Sequence, residues 1–185
     1  MNFQPSVRVV ALAIALVVAV STSVLAPMRA TAGERFAYRS EVGRFSVDFP
    51  AETPSIRELA GSKFSITDND VRHTVFAEGA EFAVEIHDIP RIAELLLASH
   101  YILERSVKGM FEDIGAREVN SVDVSVQGQP AREVAFEISD REFTGRLLLV
   151  LAGRRLYFVS VRHPRSIDPR DSIAQFFESF SFWLE

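Results

Sequence analysis

A chain of 185 residues with 48% apolar and 24% charged residues lies within the range of folded globular proteins, away from the compositions that stay disordered. Its formal charge of −5 becomes −7 once the first 32 residues are set aside, because they hold two arginines and no acid; such a domain repels phosphate backbones, which argues against nucleic-acid binding. With no cysteine at all, disulfides, thiolate metal sites, cysteine nucleophiles and a lipid-modified lipoprotein cysteine are excluded together, and stability has to come from packing.

The N-terminus reads as a secretory signal. Arg8 supplies a positive start, Val9 to Val20 is an unbroken apolar run, and Ala30-Thr31-Ala32 satisfies the small-x-small rule of signal peptidase. Cleavage is expected after Ala32, since a cut after Ala26 would place Pro27 just past the scissile bond. Residues 1–32 are therefore assigned as signal peptide and 33–185 as a single α/β domain, with membrane contact only if the segment stays uncleaved.

In the mature chain, Phe45, Val47 and Phe49 alternate with polar residues as a half-buried strand, paired through a turn at 40–43 with a strand over 36–38. Ile56, Leu59, Phe64 and Ile66 suggest short edge strands, and residues 67–70 have loop chemistry. A hairpin is expected over 73–87 around Gly79-Ala80. A long helix follows, with Asp88 as N-cap, Pro90 in its first turn and Gly115 as a left-handed stop; Ile92, Leu95, Leu96, Ile102, Leu103, Val107, Met110, Phe111 and Ile114 form its stripe.

Strands over 122–126 and 134–138 alternate with one wet face and lead to a turn at 139–141. The near-continuous apolar runs of 143–151 and 156–161 fit central strands covered on both faces. Asp168 and Pro169 open a last helix, in which Ile173, Phe176, Phe177 and Phe180 form a stripe, and residues 182–184 finish as an extended tail. The order implies an α+β fold, an antiparallel β-sheet flanked by a helix on each face, because strands joined by short turns must run antiparallel.

The segments GRFSVDFP (43–50), GQPAREVAF (128–136), GRLLLVLAGRRLYFVSV (145–161) and FFESF (176–180), with the order of elements, resemble the PsbP-like α/β/α family. That resemblance implies a binding or assembly factor without catalysis. Many bacterial relatives are lipoproteins, and this chain departs from them by lacking the cysteine.

Motifs for chemistry are scarce. None of His73, His87, His100 and His163 belongs to a zinc-protease helix motif. In the 72–88 hairpin a three-residue loop would place His73 and His87 on one face beside Glu85, a three-ligand arrangement, whereas a two-residue turn would separate them. No Gly-x-Ser-x-Gly elbow occurs, neither Lys63 nor Lys108 has a serine three residues before it, and the glycines form no phosphate cradle. Asp68-Asn69-Asp70 starts like a calcium loop, but Arg72 takes the next ligand position. Arginine outnumbers lysine eighteen to two, and Arg154-Arg155, Arg162, His163 and Arg165 are the concentrations of basic residues, one at each end of a strand. The expectation is an exported, non-enzymatic binding or assembly factor with a protein partner, no nucleic acid, no cofactor, no metal and no catalytic residue. The alternative is a carrier of a small apolar ligand held between helix and sheet, and the third reading is a hydrolase with an unrecognised site.

Overall fold

A computed structural model describes residues 35–50, 53–58, 70–138 and 142–184. The expected signal peptide and its cleavage site, the turn at 139–141, and Leu59, Phe64, Ile66 and residues 67–69 lie outside the described residues.

Strands β1 (Arg35–Ser40) and β2 (Phe45–Pro50) form the first hairpin, β3 (Ser55–Glu58) is short, and β4 (Val71–Ala77) and β5 (Ala80–Asp88) form the second. Helices α1 (Arg91–Leu96) and α2 (Ser99–Ile114) follow, then the meander β6 (Arg117–Val126), β7 (Gln129–Ile138), β8 (Phe143–Ala152) and β9 (Arg155–Pro164), helix α3 (Arg170–Ser179) and the two-residue β10 (Ser181–Phe182). The large sheet has the order β3-β4-β5-β9-β8-β7-β6, antiparallel throughout; pairing of β5 with β9 closes the two hairpin series into one sheet.

Alternation along the central strands divides the core into two. Leu147, Leu149, Leu151, Leu156 and Phe158 pack with Ile102, Leu103, Val107 and Phe111 of α2 on one face. On the other, Leu148, Val150, Tyr157, Val159, Val161, Phe82 and Val84 pack with Phe45, Val47 and Phe49 of β2 and with Ile173 and Phe176 of α3. The two apolar runs of 143–151 and 156–161 are thus the buried centre, as their continuity implies.

Three sequence expectations are corrected. The first hairpin does not join the main sheet. It forms a second sheet, β1-β2-β10, in which the tail residues Ser181 and Phe182 pair with Ser46 and Phe45; β2 has a partner on both edges and buries its Phe-Val-Phe face against the main sheet. The long helix is also two helices, because Ala98 is extended (φ −69°, ψ 144°) and no side chain caps α2. Its stripe breaks there for a packing reason: Ile92, Leu96 and Leu97 are exposed, whereas the apolar residues of α2 face the sheet. Gly115 does end α2 in the left-handed conformation, with the cap N–H donating to the Phe111 carbonyl. Third, Asp88 is not an N-cap. It ends β5, and its carboxylate binds Arg155.

The turn of the second hairpin decides a functional question. Glu78 and Gly79, both at positive φ (53° and 76°), make a two-residue turn whose twist suits the flanking strands. His73 is thereby paired with Val84 and Arg72 with Glu85, so His73 and His87 point to opposite faces.

Candidate functional site

The turn of the first hairpin is held on the main sheet by hydrogen bonds. The Ser40 hydroxyl accepts from Gly43 N–H at 2.9 Å, and a Cβ at residue 43 would lie 2.7 Å from the Phe45 ring, so the turn needs glycine for space. The Tyr157 hydroxyl donates to the Gly43 carbonyl at 3.0 Å, and Arg155 Nη1 donates to the carbonyls of Val42 and Gly43, both at 3.1 Å. Arg155 Nε meets Asp88 Oδ1 at 3.1 Å. Arg155, at the start of β9, is therefore a tie between the two sheets. Burial alone would lower its pKa, but the bond to Asp88 and that carboxylate's charge hold it above the ordinary value.

Beside this tie lies an open cleft of about 590 Å³. The hairpin supplies one wall, with Tyr38, Ser40 and Val42; β3, β4 and β5 supply the other, with Ile56, Val71, His73 and Ile86. The Tyr38 hydroxyl and His73 Nδ1 are 3.1 Å apart, and the His73 ring also meets the Phe45 ring edge-on at 5.1 Å between centroids. Ile56 lies opposite His73 in the strand register, so the apolar side chain and the imidazole share a sheet face. Burial pushes the His73 pKa down to about 4, which keeps the imidazole neutral near neutral pH, and burial likewise raises that of Tyr38.

The opposite face of β4, β5 and β9 carries a ladder of charges. Glu81 binds both Arg72 and Arg162, Arg72 also binds Glu85, and His87 lies between Asp70 (Nδ1 to Oδ2, 2.9 Å) and Glu85 (Nε2 to Oε2, 3.5 Å). Asp70, Glu81, Glu85 and His87 are all buried. Burial alone would lower the His87 pKa, but the Glu85 contact and the charge and hydrogen bond of Asp70 hold it above the ordinary histidine value. Burial would raise Glu85, which the His87 contact and the charges of Arg72, His87 and Arg162 overcome, leaving it below the usual carboxylate range. With His87 protonated the ladder has three charges of each sign, and each of its acids faces a cation, which is a structural arrangement.

The two histidines act on stability in opposite directions. His87, whose folded pKa is raised, contributes stability that is complete below the unfolded pKa of about 6.5 and is lost as pH rises through the folded value. His73, whose folded pKa is about 4, is proton-free when folded while the unfolded chain binds a proton below about 6.5, so stability falls with pH in the window between them. Wild-type protein is expected to lose about 1.5 kcal/mol from this source between pH 6.5 and 5. His73→Gln, whose amide can still meet Tyr38, is expected to remove that loss; urea melts at the two pH values check it, and an equal slope in both proteins would refute it.

His73, His87 and Glu85 form no common site, and among the described residues no group of three or more His, Cys, Asp or Glu is placed to hold a metal ion. Asp70 faces His87. His100 is exposed, and His163 Nδ1 lies 3.0 Å from the Pro164 carbonyl. Arg154 donates to the Ile89 carbonyl, and Arg162 and Arg165 bind Glu81 and Glu137, so the basic residues are ties within the fold. Sequence reasoning missed Tyr38 and Ile56 as cleft residues. Their partners lie across a sheet pairing or a sheet-to-sheet contact that no local pattern records. Between α2 and the main sheet, where the carrier alternative places its apolar ligand, a groove lined by Ile102, Leu156 and Phe158 measures about 170 Å³, below the usual range for ligand pockets.

The molecule is thus of the class in which antiparallel sheets and a few helices make one α+β fold, with a cleft where the small sheet meets the edge of the large one. The fold is PsbP-like: the solution structure of cyanobacterial PsbP (CyanoP) from Synechocystis sp. PCC 6803 matches with a TM-score of 0.59 at 14% identity, covering 82% of this chain and 94% of that one. PA94, a Pseudomonas aeruginosa protein of unknown function, matches with a TM-score of 0.42 at 13% identity, over 77% of this chain and 91% of that one. No protein-family model matches the sequence, and no curated protein does.

Proposed function

We propose that the chain is an exported binding protein without catalysis, acting through the cleft between the first hairpin and strands β3 to β5. The observation that carries this reading is the cleft itself: about 590 Å³ of open space, within the range of ligand sites, walled by apolar side chains around a few polar groups. The conspicuous titratable cluster, around Glu81 and His87, supports it from the other side, since its acids are bound to arginines or histidine and none is poised as a free base. Export rests on Arg8, the apolar run and the Ala30-Thr31-Ala32 site.

The test is rescue of a strain lacking the gene. Ile56→Arg puts a charge into the cleft from an exposed edge position and is expected to fold with an unchanged Tm yet fail to restore function. His87→Gln, His100→Asn and His163→Asn, where folded, are expected to restore it. Full rescue by Ile56→Arg, or failure of a correctly folded histidine variant, would overturn the reading, the latter in favour of chemistry at that histidine.

A further inference from the structure

We propose that the cleft takes an uncharged small molecule, one that offers a hydrogen-bonding group to the Tyr38–His73 pair and apolar surface to Val42, Ile56, Val71 and Ile86. This rests on the reading that the cleft is the binding site.

Charge is the first argument. The described lining holds four formally charged side chains, two of each sign, and each is matched within the fold. Arg155 is held by Asp88 and by the carbonyls of Val42 and Gly43. Arg39 Nε meets Glu41 Oε1 at 2.6 Å, and its guanidinium lies 3.9 Å from the Trp183 ring centroid. A carboxylate ligand would have to take Arg155 away from the contacts that fix the hairpin, and a cationic ligand would have to take Asp88 from Arg155. Among the described residues, either ion would give up hydration for a counter-charge that already has a partner. A neutral ligand meets no such cost.

The polar pair is the second argument. His73 is only 4% exposed and neutral at working pH, so it presents a dipole where a protonated imidazole would present a charge. A neutral imidazole has one donor and one acceptor nitrogen, and a phenol both donates and accepts, so the pair can serve a hydroxyl, amide or carbonyl on the ligand. An apolar rim completes the cleft. Val42 on the hairpin and Ile56 on β3 are 82% and 61% exposed, one from each wall, while Val71 and Ile86 are register partners on β4 and β5. Two exposed branched aliphatics bordering one cleft supply apolar surface that a bound molecule would cover.

Three probes that share a ring and differ in charge test the class: benzyl alcohol, benzoate and benzylammonium, titrated at neutral pH into the mature protein and followed by two-dimensional NMR. Benzyl alcohol is expected to shift the amides of Tyr38, His73 and Ile86, and the two ions to bind at least about tenfold more weakly. With Ile56→Arg, whose added charge lies beside His73, benzoate is expected to overtake benzyl alcohol. If either ion binds the wild-type cleft as well as the alcohol does, the uncharged class is wrong and the cleft stands. If none of the three shifts the cleft amides, the cleft is no small-molecule site and both readings fall.

Discussion

Phe176→Ala is expected to cost about 4 kcal/mol of stability, a fall in Tm of roughly 8–16 °C for a domain of this size. Phe176 is fully buried, and its ring meets Phe49 of the small sheet and Phe82 of the large sheet, each at 5.3 Å between centroids. It therefore joins three elements at once, α3, β2 and β5, and its removal leaves a void that strands held by their own ladders cannot close. Phe177, only partly buried, is expected to cost about a third as much. Urea melts compare the two; a loss below about 1.5 kcal/mol for Phe176→Ala would show that the sheets are joined elsewhere. Through the Phe49 contact the same substitution is expected to loosen the hairpin that walls the cleft.

Glu81→Ala should cost about 3 kcal/mol, or roughly 6–12 °C in Tm. Its carboxylate is 6% exposed and binds two arginines from the strands on either side, so truncation takes this carboxylate from Arg162 and leaves Arg72 with Glu85 and the Thr74 hydroxyl. The size follows from stranding partly buried charge more than from the strength of either pair. Glu81→Gln keeps the shape and some hydrogen bonding and should recover part of the loss. A cost under 1 kcal/mol for the alanine variant would place the ladder with ordinary surface ion pairs.

Much of the fold is written in local pattern. The alternation of Phe45, Val47 and Phe49, the continuous runs of β8 and β9, the stripe of α3 and the glycine after Ile114 all correspond to observed elements, because burial and backbone geometry act over a few residues. The site is less legible, for a different reason. Whether His73 and His87 share a face depends on a turn of two residues instead of three, a slip that composition leaves open and that Glu78 resolves by adopting a positive φ. Tyr38 reaches His73 across 35 residues, and Arg155 reaches Gly43 across 112, so the cleft exists only after two sheets have met. Asp88 illustrates the ambiguity: an acid two residues before a proline has the form of a helix cap, yet here its charge is taken by a strand arginine. The split of the long helix at Ala98 is a tertiary outcome too, since the stripe of the second part covers the sheet while Ile92 and Leu96 of the first are exposed.

The ligand proposed for the cleft is a small uncharged molecule. The most direct measurement is native mass spectrometry of the protein recovered gently from the cells that produce it, wild type beside Ile56→Arg. A small non-covalent adduct is expected on the wild type, absent from the variant, with both chains equally folded. A bare wild-type chain, or the same adduct on both proteins, would contradict it.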